Sequence, residues 1–216
     1  MSQETWIDVK TLATLKGVTE NFFNWLCWQP GYKSKLKITD VEYLKLDNSK
    51  RKIALAEKRE RYPTLEQVQK VVESVEIKNE IDLRDRALIC FTLLSGMRDS
   101  AIITLPLGCF DPDTLQIDQD PSQGVKTKFS KTMYTCLFNF DQSMLEVVLN
   151  WVNYLKKEKL FGNADPLFPR NKIVHGTDSN CFESTEVEPE FWKTADRIRE
   201  IFKARFAMAQ IEFFSP

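Results

Sequence analysis

Apolar residues recur at helical spacing from Val9 to Trp28, at Leu12, Leu15, Val18, Phe22, Trp25 and Leu26. The pattern predicts a helix that stops near Pro30-Gly31. ITDVEYLKL then predicts a short helix opened by Thr39 or Asp40. The stretch from Asp47 to Arg61 is charged and poor in large apolar side chains, which suits a linker or an exposed helix. A domain boundary near residue 59 follows, giving a first domain over 1–58 and a second over 59–216.

Beyond that boundary, Thr64 stands three residues before Gln67, the spacing of a capping box, and predicts a helix reaching about Val75. A second helix starts near Asp82. Its segment ALICFTLLSG is apolar on nearly every side, so it is expected to cross the domain centre and end at Gly96. A short third helix should hold Ser100 to Leu105 and stop at Pro106. Between Phe110 and Phe140 the runs shorten and favour β-branched and aromatic residues. DTLQIDQ, GVKTKF and MYTCLFNF are expected as three strands, with Lys126 and Lys128 on one strand face. Helical spacing returns from Met144 to Leu160 and from Phe191 to about Ile211, with a polar loop around DPLFPR and HGTDSN between them. The expected class is mainly α (α+β): a helical domain with a small three-stranded antiparallel sheet, preceded by part of a helical N-terminal domain.

Composition narrows the function classes. The 216 residues are 43% hydrophobic, enough for a packed core. No uncharged apolar run reaches about 18 residues, and the N-terminus lacks a basic flank followed by an apolar core. A soluble, cytoplasmic chain without a membrane partner is expected. The five cysteines, Cys27, Cys90, Cys109, Cys136 and Cys181, are far apart and mostly set in apolar runs, and read as reduced core residues. No cysteine pair has zinc-site spacing, and the single histidine, His175, is expected in a loop. The formal net charge of −1 argues against strong indiscriminate attraction to phosphate. Positive charge nevertheless gathers in YKSKLK (Tyr32 to Lys37), SKRK (Ser49 to Lys52) and KRER (Lys58 to Arg61), while Asp111, Asp113, Asp118 and Asp120 form an acidic group.

One arginine bears on chemistry. Arg98 follows the buried helix and Gly96, so its guanidinium sits on a rigid support with a planar fork suited to a phosphate or carboxylate. Taken alone, such an arginine is more often an ordinary ion-pair partner, here of Asp99 or Asp85. The order of elements shifts that weighing. An apolar helix ending in LLSGMRDSAIITL, a sheet region containing VKTKFSKTMYTCLFNF, the helix LEVVLNWVNYL and the segment DPLFPR together resemble the catalytic domain of tyrosine recombinases, the phage integrase family. The resemblance covers roughly Pro63 to Pro216, and the preceding helices resemble the end of that family's DNA-gripping (core-binding) domain.

The resemblance implies site-specific recombination of DNA, as in the integration of mobile elements, through a covalent phosphotyrosine intermediate. LLSGMRDSAIITL is similar to the family's TGLRxxELxxL and would make Arg98 the first catalytic arginine. Lys128 matches the family's hairpin lysine best, with Lys126 and Lys131 as alternatives and a solvated surface charge as the competing reading for each. Fixed cations would stabilise charge building on the non-bridging phosphate oxygens, and a lysine would protonate the leaving 5′ oxygen. The phosphotyrosine would hold the bond until another strand's hydroxyl attacks. The implied partner is double-stranded DNA, the implied assembly of the full-length protein is a tetramer on DNA, and no metal, nucleotide or other cofactor is required. Two departures stand out. The family's usual acidic residue three places after the arginine is here Ala101, and the sequence ends in IEFFSP where the family continues into FxPHxxR. The second arginine, the motif histidine and the nucleophilic tyrosine are then missing, so an incomplete catalytic domain, inactive by itself, is expected. A DNA-binding remnant without catalysis is the alternative, and a purely structural helical domain a third reading.

Overall fold

The computed structural model describes residues 9–56, 62–175 and 182–213, so KRER, most of HGTDSN and Cys181 lie outside the described residues. The chain divides into two compact units, Met1–Glu60 and Arg61–Pro216. Among the described residues it forms eight α-helices, a three-stranded antiparallel sheet and a separate two-stranded one. This is the expected helix-rich α+β class with a small sheet. No described helix is long and apolar enough to cross a membrane.

The first unit holds α1 (Val9–Leu26), α2 (Ile38–Val41), which runs on as a 3-10 turn through Leu44, and α3 (Asn48–Leu55). Asp47 caps α3 by accepting the Ser49 N–H, and the described α3 side chains are exposed, as the charged sequence allows. The α1 stripe differs from expectation. Leu15, Val18, Phe22 and Trp25 are all exposed, and only Cys27 and Val41 are buried among the described side chains of this unit.

The second unit is built around α5 (Glu80–Ser95). Asn79 caps its start by accepting the N–H groups of Ile81 and Asp82, and Gly96 ends it in the left-handed conformation at φ 59°, where a Cβ would be strained. Helix α4 (Leu65–Ser74) begins at the expected capping box: Gln67 N–H donates to Thr64 Oγ1 and Thr64 N–H donates to Gln67 Oε1. Helix α7 (Gln142–Lys157) packs along α5 through Met144, Leu145, Val148, Trp151, Val152 and Leu155. Phe91 of α5 meets the rings of Phe110 and Phe168 edge-on at 5.9 and 5.2 Å. The segment PLFP is therefore a core plug. Leu167 N–H donates to Leu105 O, and Trp151 Nε1 donates to Leu167 O at 2.9 Å.

The small sheet has the order β1 (Phe110–Asp111), β2 (Gln116–Gln119), β3 (Met133–Cys136), with Phe110 opposite Ile117 and Ile117 opposite Thr135. GVKTKF, expected as a strand, is not one. Gly124, Phe129 and Ser130 have φ of 90°, 60° and 51°, and Lys128–Ser130 is a 3-10 turn, so the segment curls into the connection between β2 and β3. Lys126 and Lys128 consequently do not share a strand face. The expected loop after α7 also contains a hairpin, β4 (Arg170–His175) with β5 (Phe182–Glu188), which makes His175 the last residue of a strand. Its register sets Arg170 opposite Glu188 and Lys172 opposite Glu186, each an ion pair, at 2.6 and 2.8 Å. Helix α8 (Asp196–Met208) closes the unit, burying Ile198, Ile201, Phe202 and Phe206. Cys27, Cys90 and Cys109 are buried as expected, whereas Cys136, the last residue of the edge strand β3, is exposed.

Candidate phosphate-binding site at the end of α5

Arg98 is the N-cap residue of α6 (Asp99–Ile102), in extended conformation, with its carbonyl accepting the N–H groups of Ala101 and Ile102 at 3.0 Å. Met97 before it is buried, as are Ala101 and Ile102 after it, so the backbone is anchored on both sides while the Arg98 side chain is exposed. Among the described residues Arg98 makes no ion pair.

The two carboxylates that could have neutralised it are occupied elsewhere. Asp85 is buried in α5 and paired with Arg84 Nη2 at 2.7 Å and Arg205 Nη2 at 2.6 Å. Arg205 also reaches Asp82 at 2.7 Å, and the Arg84 guanidinium lies 5.0 Å from the Trp192 ring centre. This buried network joins α5 to α8 and holds the helix that carries the junction. Asp99 pairs with Arg199 of α8 at 2.7 Å.

The connection carrying the lysines is fastened to the same junction. Lys126 N–H donates to Thr104 Oγ1 at 2.9 Å, and Thr104 Oγ1 in turn donates to Ser100 O in α6. On the other side of the sheet, Phe138 N–H donates to Leu94 O near the end of α5 at 2.8 Å. The segment 126–131 and the Arg98 junction thus belong to one body, bracketed by bonds at both ends of the sheet excursion. Val125 is buried and roots the segment, while Lys126, Lys128 and Lys131 are exposed and without ion pairs among the described residues. Lys128 Nζ lies 5.2 Å from the centre of the exposed Phe129 ring. The structure ties Lys126 to the α6 turn by a backbone bond and gives Lys128 and Lys131 no such tie. The Thr127 hydroxyl oxygen between Lys126 and Lys128 is buried without a hydrogen-bond partner.

Nucleophile candidates can be judged by environment. Tyr154 donates its hydroxyl to Glu80 Oε1 at 2.8 Å, and burial together with that carboxylate pushes the phenol up to about 12. A nucleophilic phenol needs the opposite shift. Tyr134 is exposed on β3, and Tyr32 and Tyr43 are exposed in the first unit. Burial likewise pushes the Cys90 thiol up to about 12, which makes it an inert core residue.

No protein-family model matches the chain, and no curated protein matches it. Among solved structures, the chain is similar to the crystal structure of XerA recombinase, with a TM-score of 0.50 and 13% sequence identity over 97% of this chain. It spans 66% of the length of that recombinase. At this identity the likeness is one of fold.

Proposed function

We propose that the second unit is a DNA-engaging domain of the tyrosine recombinase type, in which Arg98 binds the phosphodiester and a lysine of segment 126–131 faces the same phosphate. The observation that carries this reading is the freedom of Arg98. Its guanidinium is held out on a rigid junction while Asp85 and Asp99, the two ion-pair partners that the sequence suggests for it, are each engaged by another arginine. An exposed fork with no ion-pair partner among the described residues is available for bidentate contact with an anion. The recombinase fold likeness and the motif resemblance around Arg98 support DNA as the source of that anion.

Within this reading Lys126 moves ahead of Lys128 as the lysine beside the phosphate, because the bond to Thr104 fixes its backbone against α6. Strand cleavage is not expected from these 216 residues alone, since the motif resemblance around Arg98 does not extend to a nucleophilic tyrosine, and burial together with Glu80 pushes the Tyr154 phenol up. The test is duplex DNA binding by fluorescence anisotropy across a salt series. Weak binding that falls steeply with salt is expected, from counterion release, and Arg98→Ala should weaken it. Affinity that does not respond to salt or to Arg98→Ala would overturn the reading. A covalent adduct on a suicide substrate would overturn the expectation of inactivity and identify the tyrosine by mapping.

A further inference from the structure

Resting on that reading of Arg98, we infer that Arg199 is a positioning residue, which keeps Arg98 free for the phosphate by occupying the carboxylate of Asp99. Asp99 is the residue next to Arg98 and the first of α6. Its side chain is 18% exposed. One of its oxygens accepts the Ser100 N–H at 2.7 Å, and the other accepts Arg199 Nη2 at 2.7 Å. Arg199 reaches it from α8, a hundred residues along the chain, and its second terminal nitrogen is held by Asp196 Oδ1 at 2.9 Å.

The arrangement assigns different tasks to two neighbouring arginines. Arg199 has each terminal nitrogen on a carboxylate and is therefore largely neutralised, which suits a clamp and not an anion site. Arg98 has no such partner among the described residues. Without Arg199, the Asp99 carboxylate would keep a charged oxygen with no cation on it, and the nearest cation by sequence would be Arg98. A carboxylate so placed competes with a phosphate for the same fork and repels the phosphate itself. Ala101, buried, cannot take over this duty. Asp99 is thus a potential competitor for the proposed anion site, and α8 holds it in check.

The test is a mutant cycle in the full chain, read by duplex DNA binding at low salt and by the Arg98 Nε–Hε NMR signal, assigned from its loss in Arg98→Lys. Arg199→Ala should weaken binding about fivefold, the scale of one partly exposed charge pair, and shift the Arg98 signal in the absence of DNA. Asp99→Asn should leave binding equal or tighter. The double variant Asp99→Asn/Arg199→Ala should return to the level of Asp99→Asn, and Arg199→Lys should restore most of the loss. If the double variant stays as weak as Arg199→Ala, then Arg199 acts on DNA directly or through the packing of α8, and the inference fails. Should Arg199→Ala prove unstable, Arg199→Gln takes its place in the cycle with the same readings, and weaker binding by Asp99→Asn alone refutes competition. Arg98→Ala serves as the reference. If it has no effect, the reading of the site fails; if it weakens binding while Arg199→Ala does not, only the positioning role fails.

Discussion

The two units spend similar aromatic and aliphatic side chains very differently. In the second, Phe91, Phe110 and Phe168 are completely enclosed and Trp151 both packs and donates its indole N–H to the backbone. In the first, Phe22, Trp25 and Trp28 are more than half exposed although α1 carries a regular apolar stripe. A periodic stripe says that a helix has an apolar face; whether that face is covered depends on partners that the stripe does not encode. Stability should therefore reside in the second unit, which is also where the proposed anion site stands on buried supports.

The largest test of this contrast is Phe91→Ala. Loss of a fully buried ring at the meeting point of three elements should cost about 3–5 kcal/mol, read as a lowered denaturant midpoint. A cost near zero would mean that the core is not where the packing places it. Next is Glu80, which accepts the Val187 N–H, the Lys159 ammonium and the Tyr154 hydroxyl. Burial works to raise its carboxyl, but these three donors outweigh it and hold the group below the usual carboxylate range. A depressed folded value gives stability that is present above the unfolded value, about 4.3, and lost as pH falls through the folded one. Glu80→Gln should thus lower stability at neutral pH by about 1–2 kcal/mol and flatten the acid limb of a stability–pH curve. An unchanged acid limb would remove Glu80 from the account.

Thr64→Ala removes the cap that starts α4 and should cost about 1 kcal/mol, measurable by thermal melting. The smallest expected effect is the most direct test of the comparison. Trp25→Ala, at an exposed site in the first unit, should change stability by no more than about 0.5 kcal/mol. A loss comparable to that of Phe91→Ala would show that α1 is packed after all.

The parts of the fold legible in the sequence were those written in local chemistry. Thr64 and Gln67 announce a reciprocal cap, Gly96 ends α5 by taking up the left-handed conformation that a glycine adopts without strain, and Arg98 stands out by following that stop. What escaped was written in pairings distant along the chain. The β4–β5 hairpin is matched by charges, Arg170 with Glu188 and Lys172 with Glu186, and leaves little apolar alternation to detect. Arg84 and Asp85 look like surface residues in a helix, yet both are buried because Arg205, the Pro169 carbonyl and the Trp192 ring meet them there. GVKTKF has strand-like composition, but its backbone turns left-handed at Phe129 and Ser130, which composition does not forecast. At the candidate site, Arg98 and the lysines were visible as residues. The bond from Lys126 to Thr104 and the pair between Asp99 and Arg199 were not, since each depends on the fold to bring its partners together.

The separation of Asp99 from Arg199 has a consequence for the protein while it is being made. A ribosome adding about 5–20 residues per second releases α6 some seconds before α8 exists. During that interval the Asp99 carboxylate has no Arg199 to hold it, so the ion pair that ties α6 to α8 can form only once α8 has been made. The tie between α6 and α8 is thus one that the second unit can close only after its last described helix is in place.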